Sequence, residues 1–203
     1  MGCIMHVYLV DSDVIEEAIY SEDTELFEAI IADWSDDDGD DESSGNESDG
    51  DDEDWDDEGE DLDPEIALRA LIDGGPFEEE YGRSYLEAYE SICDHFGEYF
   101  CDITFHLGWQ PKVNEAFAEL GMELSMNHLL FGGACTCVFP APDWGGDGCW
   151  TKEECAKALE QWEASDPAVR AALDPAVLKD VECHVGWLRE SKRTGKDIYV
   201  VWG

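Results

Sequence analysis

The sequence predicts a helix-rich α+β fold in which helices pack on a small sheet that includes both terminal strands. Three observations carry this expectation. CIMHVYLV at 3–10 and IYVVW at 198–202 are short, β-branched and aromatic, as buried strands are. Between them, apolar residues recur at three- and four-residue intervals, the helical period. Strands at the two ends of the chain are natural neighbours at the centre of one sheet. A chain of 203 residues is long enough for a sizeable core and is expected to form a single domain, 1–203.

After the first strand, Asp11 or Asp13 caps a helix reaching about Tyr20. Ser21 with Thr24 and Glu25 opens another, with Leu26, Phe27, Ile30 and Ile31 as its apolar stripe. The composition changes abruptly at Asp33. Residues 35–61 are almost all Asp, Glu, Gly, Ser and Asn, and like charges with nothing to bury predict a disordered acidic loop within the domain. Loop closure costs grow slowly with length, so an inert insertion is tolerable; Trp55 among the acids equally suits an anchor for a partner. Asp54, Asp56, Glu58, Gly59 and Glu65 fit positions of an EF-hand loop. Asp61 replaces the apolar residue that pins such a loop, Pro64 precedes its last ligand and no amphipathic helix leads in, so no specific calcium site is expected.

Leu62 to Phe100 is the best-defined stretch. Asp63 caps and Pro64 starts a helix carrying Ile66, Leu68, Leu71 and Ile72, and Gly74-Gly75 ends it. Ser84 with Glu87 has the spacing of a capping box, followed by Leu86, Tyr89, Cys93 and Phe96 on one face. Gly74-Gly75-Pro76-Phe77 then forms a helix–helix corner with Phe77 turned into the core; a backbone loop near a ligand is the alternative.

Gly97 to Gly108 reads as irregular, with Phe100, Ile103 and Phe105 as candidate strand residues. Pro111 opens a short helix to Leu120, and 122–131 fits either a strand or a buried helical turn. Residues 132–150 form a glycine- and proline-rich loop. Thr151 with Glu154 makes a capping box, Asp166-Pro167 and Asp174-Pro175 start two further helices, and Val177, Val181, Val185 and Leu188 mark the buried face of the last one. Lys192, Arg193 and Lys196 suit its C-terminal end and Gly195 closes it.

Charge narrows the function. The chain has 52 acidic and 11 basic residues, a net charge of −41, and the run from Asp33 to Asp63 contains no basic residue. Binding nucleic acid phosphates or acidic lipid surfaces requires a basic footprint that this composition lacks. A basic protein is the partner such a surface fits. No stretch reaches the roughly 20 apolar residues of a membrane-spanning helix, and no basic region precedes an apolar one at the start, so a secretion signal is not expected. Met1-Gly2-Cys3 hints at acylation, but His6 stands where myristoylation wants Ser or Thr. The eight cysteines then belong in a reducing cytoplasm.

Catalytic signatures are absent: no GxSxG, HExxH, Walker or dinucleotide fingerprint occurs. Cys135, Cys137, Cys149 and Cys155, with His128 nearby, are the weak metal candidates. Zinc prefers thiolates in C-x2–4-C pairs, and these are C-x-C and C-x5-C, so metal-free thiols and no cofactor are expected. Cys93, Asp94 and His95 are contiguous but point in different directions on a helix. His106, His128 and His184 are each able to meet a cysteine in space. Asp73 and Glu78 to Glu80 surround the corner, where Arg69 and Arg83 are the rare cations, expected to neutralise local acids or to hold an anion.

Three blocks together, IMHVYLVDSDVIEEAI, ALRALIDGGPFEEEYG with YLEAYESIC, and the ending from ALEQW to YVVWG, resemble an uncharacterised bacterial domain-of-unknown-function family of small soluble proteins. The Met-Gly start and the final helix-Gly-strand are distantly similar to the YfbM-like family. The resemblance covers most of the chain except 35–61, and it implies no activity and transfers no functional residue. The sequence thus predicts a cytoplasmic binding or regulatory protein, of the immunity or nucleic-acid-mimic kind, acting on a basic protein, with Trp55, Asp73, Arg83 and His128 as binding candidates. The alternatives are a small enzyme with its site where Gly74–Phe77 meets Gly132–Trp150, using Arg83, Asp73 and His128, and a halophilic-type acidic surface with no charge-specific partner.

Overall fold

The computed structural model describes residues 2–37, 61–132 and 139–203. Four strands, β1 (Cys3–Val10), β2 (Glu98–Phe105), β3 (Gly146–Trp150) and β4 (Asp197–Trp202), form one antiparallel sheet in the order β2-β1-β4-β3. The terminal strands β1 and β4 are its central pair, as expected, with Tyr8 opposite Tyr199.

Both faces of the sheet are covered, which explains why the central strands read as continuous apolar runs rather than alternating ones. Met5, Val7 and Leu9 of β1 and Ile198 and Val200 of β4 point to one face. There they meet α5 (Gln110–Glu119), α6 (Met126–Phe131), α7 (Lys152–Ala164) and α9 (Pro175–Thr194). Tyr8, Val10, Tyr199 and Val201 point to the other, under α1 (Ser12–Ala18), α2 (Thr24–Asp37), α3 (Pro64–Asp73) and α4 (Gly82–Phe96). A short α8 (Pro167–Ala172) links α7 to α9. Among the described residues no helix is long and apolar enough to cross a membrane.

Most helix starts follow the expected chemistry. Asp63, Asp166 and Asp174 each accept a first-turn N–H with proline behind them, and Thr151 and Glu154 make the reciprocal capping box. Gly74 (φ 86°) and Gly195 (φ 71°) end α3 and α9 in the left-handed conformation. Four expectations are corrected. Ser84 is not a cap: α4 begins at Gly82 after a 3-10 turn, and Ser84 lies inside it, buried, accepting the Leu62 N–H at 3.2 Å. Asp23 rather than Ser21 takes the first N–H groups of α2, and that helix runs past the onset of the acidic run to Asp37. The stretch after Gly97 is a regular edge strand, β2. The end of the 132–150 loop is also a strand, β3, while within 122–131 only Met126–Phe131 is helical, as α6.

The acidic loop expected over 35–61, with Trp55 and the EF-hand-like positions Asp54 to Gly59, falls almost entirely outside the described residues, as do Cys135 and Cys137.

Candidate functional site

A bulge in β2 shapes the site. Val7 pairs with Cys101 and Tyr8 with Tyr99, so Phe100 is the extra residue. Phe100, Cys101 and Ile103 all turn toward the α9 face. The inserted residue thereby switches Tyr99 to the α4 face, where its ring meets Tyr8 edge-on at 5.8 Å. Asp102, opposite His6 in the ladder, shares that face and accepts the Tyr99 hydroxyl at 2.5 Å. This bond pushes the Tyr99 phenol up to about 12 and holds the Asp102 carboxyl below its ordinary range.

Glu90 of α4 sits at the centre of the arrangement. One of its oxygens, Oε1, meets His6 Nδ1 and also accepts the Tyr8 hydroxyl at 2.8 Å. Burial first, and the Glu90 carboxylate second, hold the Tyr8 hydroxyl protonated far above the ordinary phenol range. With Nδ1 engaged by Glu90, the imidazole of His6 is oriented at the wall of the clefts it lines.

His6, Glu87 and Glu90 line two adjoining clefts. The first, about 420 Å³, runs between α2 and α4 past Trp34, Asp33 and Asp94; His95 Nδ1 meets Asp33 Oδ2 there at 2.6 Å. The second, about 610 Å³, runs past the N-terminal end of α4 to Trp144 and the chain end at Gly203. Six carboxylates, those of Asp61, Glu79, Glu80, Glu87, Glu90 and Asp143, line it against the single guanidinium of Arg83. Arg83 Nε donates to Glu87 Oε1 at 2.9 Å, an exposed pair that adds little stability. Apolar surface lies among these charges: Ile4 and Trp144 are half exposed, and Trp144 packs edge-on against Trp202 at 5.9 Å.

Of the binding candidates read from sequence, Arg83 lines this groove. Asp73 ends α3 beside Arg69 at 3.9 Å, and Arg69 in turn covers the Phe27 ring at 3.5 Å, so Arg69 neutralises a local acid as expected. His128 lies on α6, 3.9 Å from Glu154. Neither Asp73 nor His128 lines either cleft, and Trp55 is outside the described residues. Tyr85 of α4 stands between the corner and the described part of the 132–150 loop, its ring 5.1 Å from that of Phe77 and 6.4 Å from that of Phe139. Cys149 and Cys155 sit in the cores on opposite faces of the sheet, and burial pushes the Cys155 thiol up to about 12. Among the described residues no group of three or more His, Cys, Asp and Glu is placed to hold a metal ion.

Sequence reasoning missed His6, Tyr8, Glu90 and Tyr99. His6 was the one legible signal, a polar residue within an otherwise apolar strand.

The family model described as a domain of unknown function (DUF7691) matches residues 1–202. No curated protein and no solved structure matches the chain.

Proposed function

The chain belongs to the DUF7691 family, a domain of unknown function, and from that premise we propose that it is a binding protein whose carboxylate-lined groove engages a basic segment of a partner protein. The observation that carries the reading is the groove between Glu90 and Trp144, where six carboxylates face one guanidinium around half-exposed Ile4 and Trp144. A lysine or arginine side chain finds there both a counter-charge and an aromatic face. The net charge of −41 adds long-range attraction for such a partner and discourages acidic ones. Immunity-type proteins and nucleic-acid mimics work through surfaces of this kind. On this reading the protein is a single-domain, soluble, bacterial cytoplasmic one with distant kinship to the YfbM-like family; the free, buried thiols of Cys3 and Cys155 support a reducing compartment.

The test is capture from a lysate of the native host, comparing the natural chain with Glu79→Lys/Glu80→Lys and with a chain lacking 38–60, each at low and moderate salt. A basic protein held by the natural chain and by the deletion, but lost on charge reversal and weakened by salt, supports the groove. Loss on deletion alone moves the interface to the acidic run and Trp55. Capture indifferent to salt and to charge reversal refutes the reading, and no capture at all leaves the acidic surface as solvation.

One observation favours an enzyme as a second reading: Glu90 orients His6 as a carboxylate orients a general base, inside a cleft. That reading requires His6→Gln to abolish turnover of any substrate found for the cleft while leaving the melting temperature unchanged.

A further inference from the structure

β2 is an open edge of the sheet. It pairs with β1, and among the described residues no second strand and no backbone group outside that ladder bonds to its outer side. None of its 8 residues is buried, whereas all 6 of β4 are. The other edge, β3, has only 5 residues, and α6 rests on its glycines. A free edge is a row of N–H and C=O groups ready to pair with another chain, and proteins usually blunt it. Here the Phe100 bulge disturbs one end alone. Residues 101–105 pair in turn with β1, from Val7 back to Cys3, and form a regular template.

The two faces of this template differ. On the α9 side, Ile103 and Phe105 wall a cavity of about 420 Å³ together with Met5, Val113 and Met126. The carboxylate on its wall, Asp180, already accepts the Trp109 indole N–H. Thr104 borders the same cavity. Its place opposite Ile4 turns its side chain to the α4 face, so it presents main chain there, and an occupant lies against strand backbone. On the α4 side stand Asp102 and Tyr99, with Glu90 and Asp94 in the cleft that Tyr99 borders. Glu98 has Arg193 of α9 nearby, whereas Asp102 has Tyr99 and His6 as neighbours and, among the described residues, no lysine or arginine. A second copy of the chain would set like charges against each other, at −41 on each, so self-pairing is disfavoured.

We propose that residues 101–105 of β2 take up an extended basic segment of a partner protein as a fifth strand, its apolar side chains entering the cavity beside α9 and its alternating lysines or arginines lying against Asp102 and Tyr99. Successive residues of a strand point to opposite faces, so one segment of this pattern meets both faces at once. Backbone bonds supply the affinity and the alternate side chains the choice of sequence. The inference rests on the reading of a basic partner only for the sign of the occupant's charge. The acidic groove is lined from β1, β4 and α4, and no residue of β2 borders it.

The probe is Ac-Lys-Val-Lys-Phe-Lys-Val-Lys-NH2, compared with Ac-Lys-Lys-Lys-Lys-Val-Phe-Val-NH2 of equal charge and composition. Titration calorimetry on the full chain at moderate salt should find the alternating peptide bound at least about tenfold tighter. In an extended strand the lysine N–H groups point to one edge and those of the apolar residues to the other. N-methylating the two sets in turn should cost about tenfold in one case and little in the other. On binding, amides within 101–105 should become protected from hydrogen exchange, read by 15N NMR, and Asp102→Lys should weaken the alternating peptide. The capture experiment with Glu79→Lys/Glu80→Lys reads the groove and these amides read the edge, so either result stands or fails alone. Equal affinities for the two sequences, equal affinities for the two N-methylated peptides, or no new protection within 101–105 would overturn the proposal. So would a dimer in sedimentation whose β2 amides are protected before any peptide is added, since a second copy then holds the edge.

Discussion

Asp197, buried at the start of β4, holds the N-terminus of α1 through Ser12: its Oδ2 accepts the Ser12 N–H at 3.0 Å and the Ser12 hydroxyl at 2.5 Å. Its Oδ1 accepts the Lys152 N–H at 2.6 Å, the first residue of α7. One carboxylate therefore ties together two helices that pack on opposite faces of the sheet. Helix N-termini favour negative charge, and charge-assisted bonds to backbone N–H groups are the stronger kind. Asp197→Ala leaves two backbone donors without their partner, and the expected loss is about 3 kcal/mol. For a domain of this size that corresponds to a fall in melting temperature of roughly 6–12 °C. Asp197→Asn should lose less, since one oxygen remains. Equal melting temperatures for Asp197→Ala and the natural chain, read by differential scanning calorimetry, would show that the two helices do not depend on this carboxylate.

Gly148 of β3 is the position where a side chain should be tolerated least. A Cβ built there falls 2.1 Å from the carbonyl oxygen of Leu129, and one at Gly146 falls 2.8 Å from that of Leu130. Both carbonyls belong to α6, which packs directly on the strand. Gly148→Ala must push α6 outward, and overpacking of this kind costs roughly 1–3 kcal/mol. Gly108→Ala is the control, because its Cβ meets nothing within 4 Å. Thermal unfolding should separate the two variants by several degrees; coincident curves would mean that α6 gives way at no cost.

The same glycines explain what was legible in the sequence. α3, α7 and α9 were readable because each has a local signature: a capping aspartate before a proline, or a Thr–Glu capping box, followed by an apolar period. The two terminal strands were readable because burial on both faces leaves them almost wholly apolar. β3 was not, since GDGCW looks like a turn until α6 is seen resting on its glycines. Ser84 has capping-box spacing, yet its hydroxyl serves Leu62, which tertiary packing brings to it. The groove was hidden for a related reason. His6, Glu90 and Tyr99 are far apart in the chain, and a single bulged residue, Phe100, decides which face Tyr99 occupies. Register is a property of the paired strands, and no spacing within β2 announces it.

The Tyr99–Asp102 bond has a spectroscopic consequence. Ionising Tyr99 would set a phenolate against a carboxylate at 2.5 Å, so its phenol should titrate at about 12 rather than near the ordinary 10. Asp102→Asn removes the charge and should return Tyr99 toward the ordinary range. Site-resolved 13C spectra of the tyrosine ring carbons, followed through alkaline pH, read this directly. An ordinary titration of Tyr99 in the natural chain would mean that the bond is not maintained in solution.

His184 should make the fold sensitive to mild acid. Burial is the larger influence and holds its pKa below the ordinary value, while the Asp180 carbonyl and carboxylate oppose it more weakly; its other neighbours, Phe117, Trp150 and Trp187, carry no charge. Unfolded, the ring titrates near 6.5. Between that pH and the lower folded value the unfolded chain binds a proton that the folded chain refuses. Stability is therefore fully present above about 6.5 and falls as pH drops, by at most about 1.4 kcal/mol per pH unit for one proton. His184→Phe keeps an aromatic ring among Phe117, Trp150 and Trp187 and removes the titration. Chemical unfolding at pH 7 and pH 5 should show a smaller loss of stability for the variant than for the natural chain, because carboxylates contribute equally to both. Parallel losses would mean that His184 is protonated in the folded state, and Nε2 would then be a donor rather than a buried acceptor.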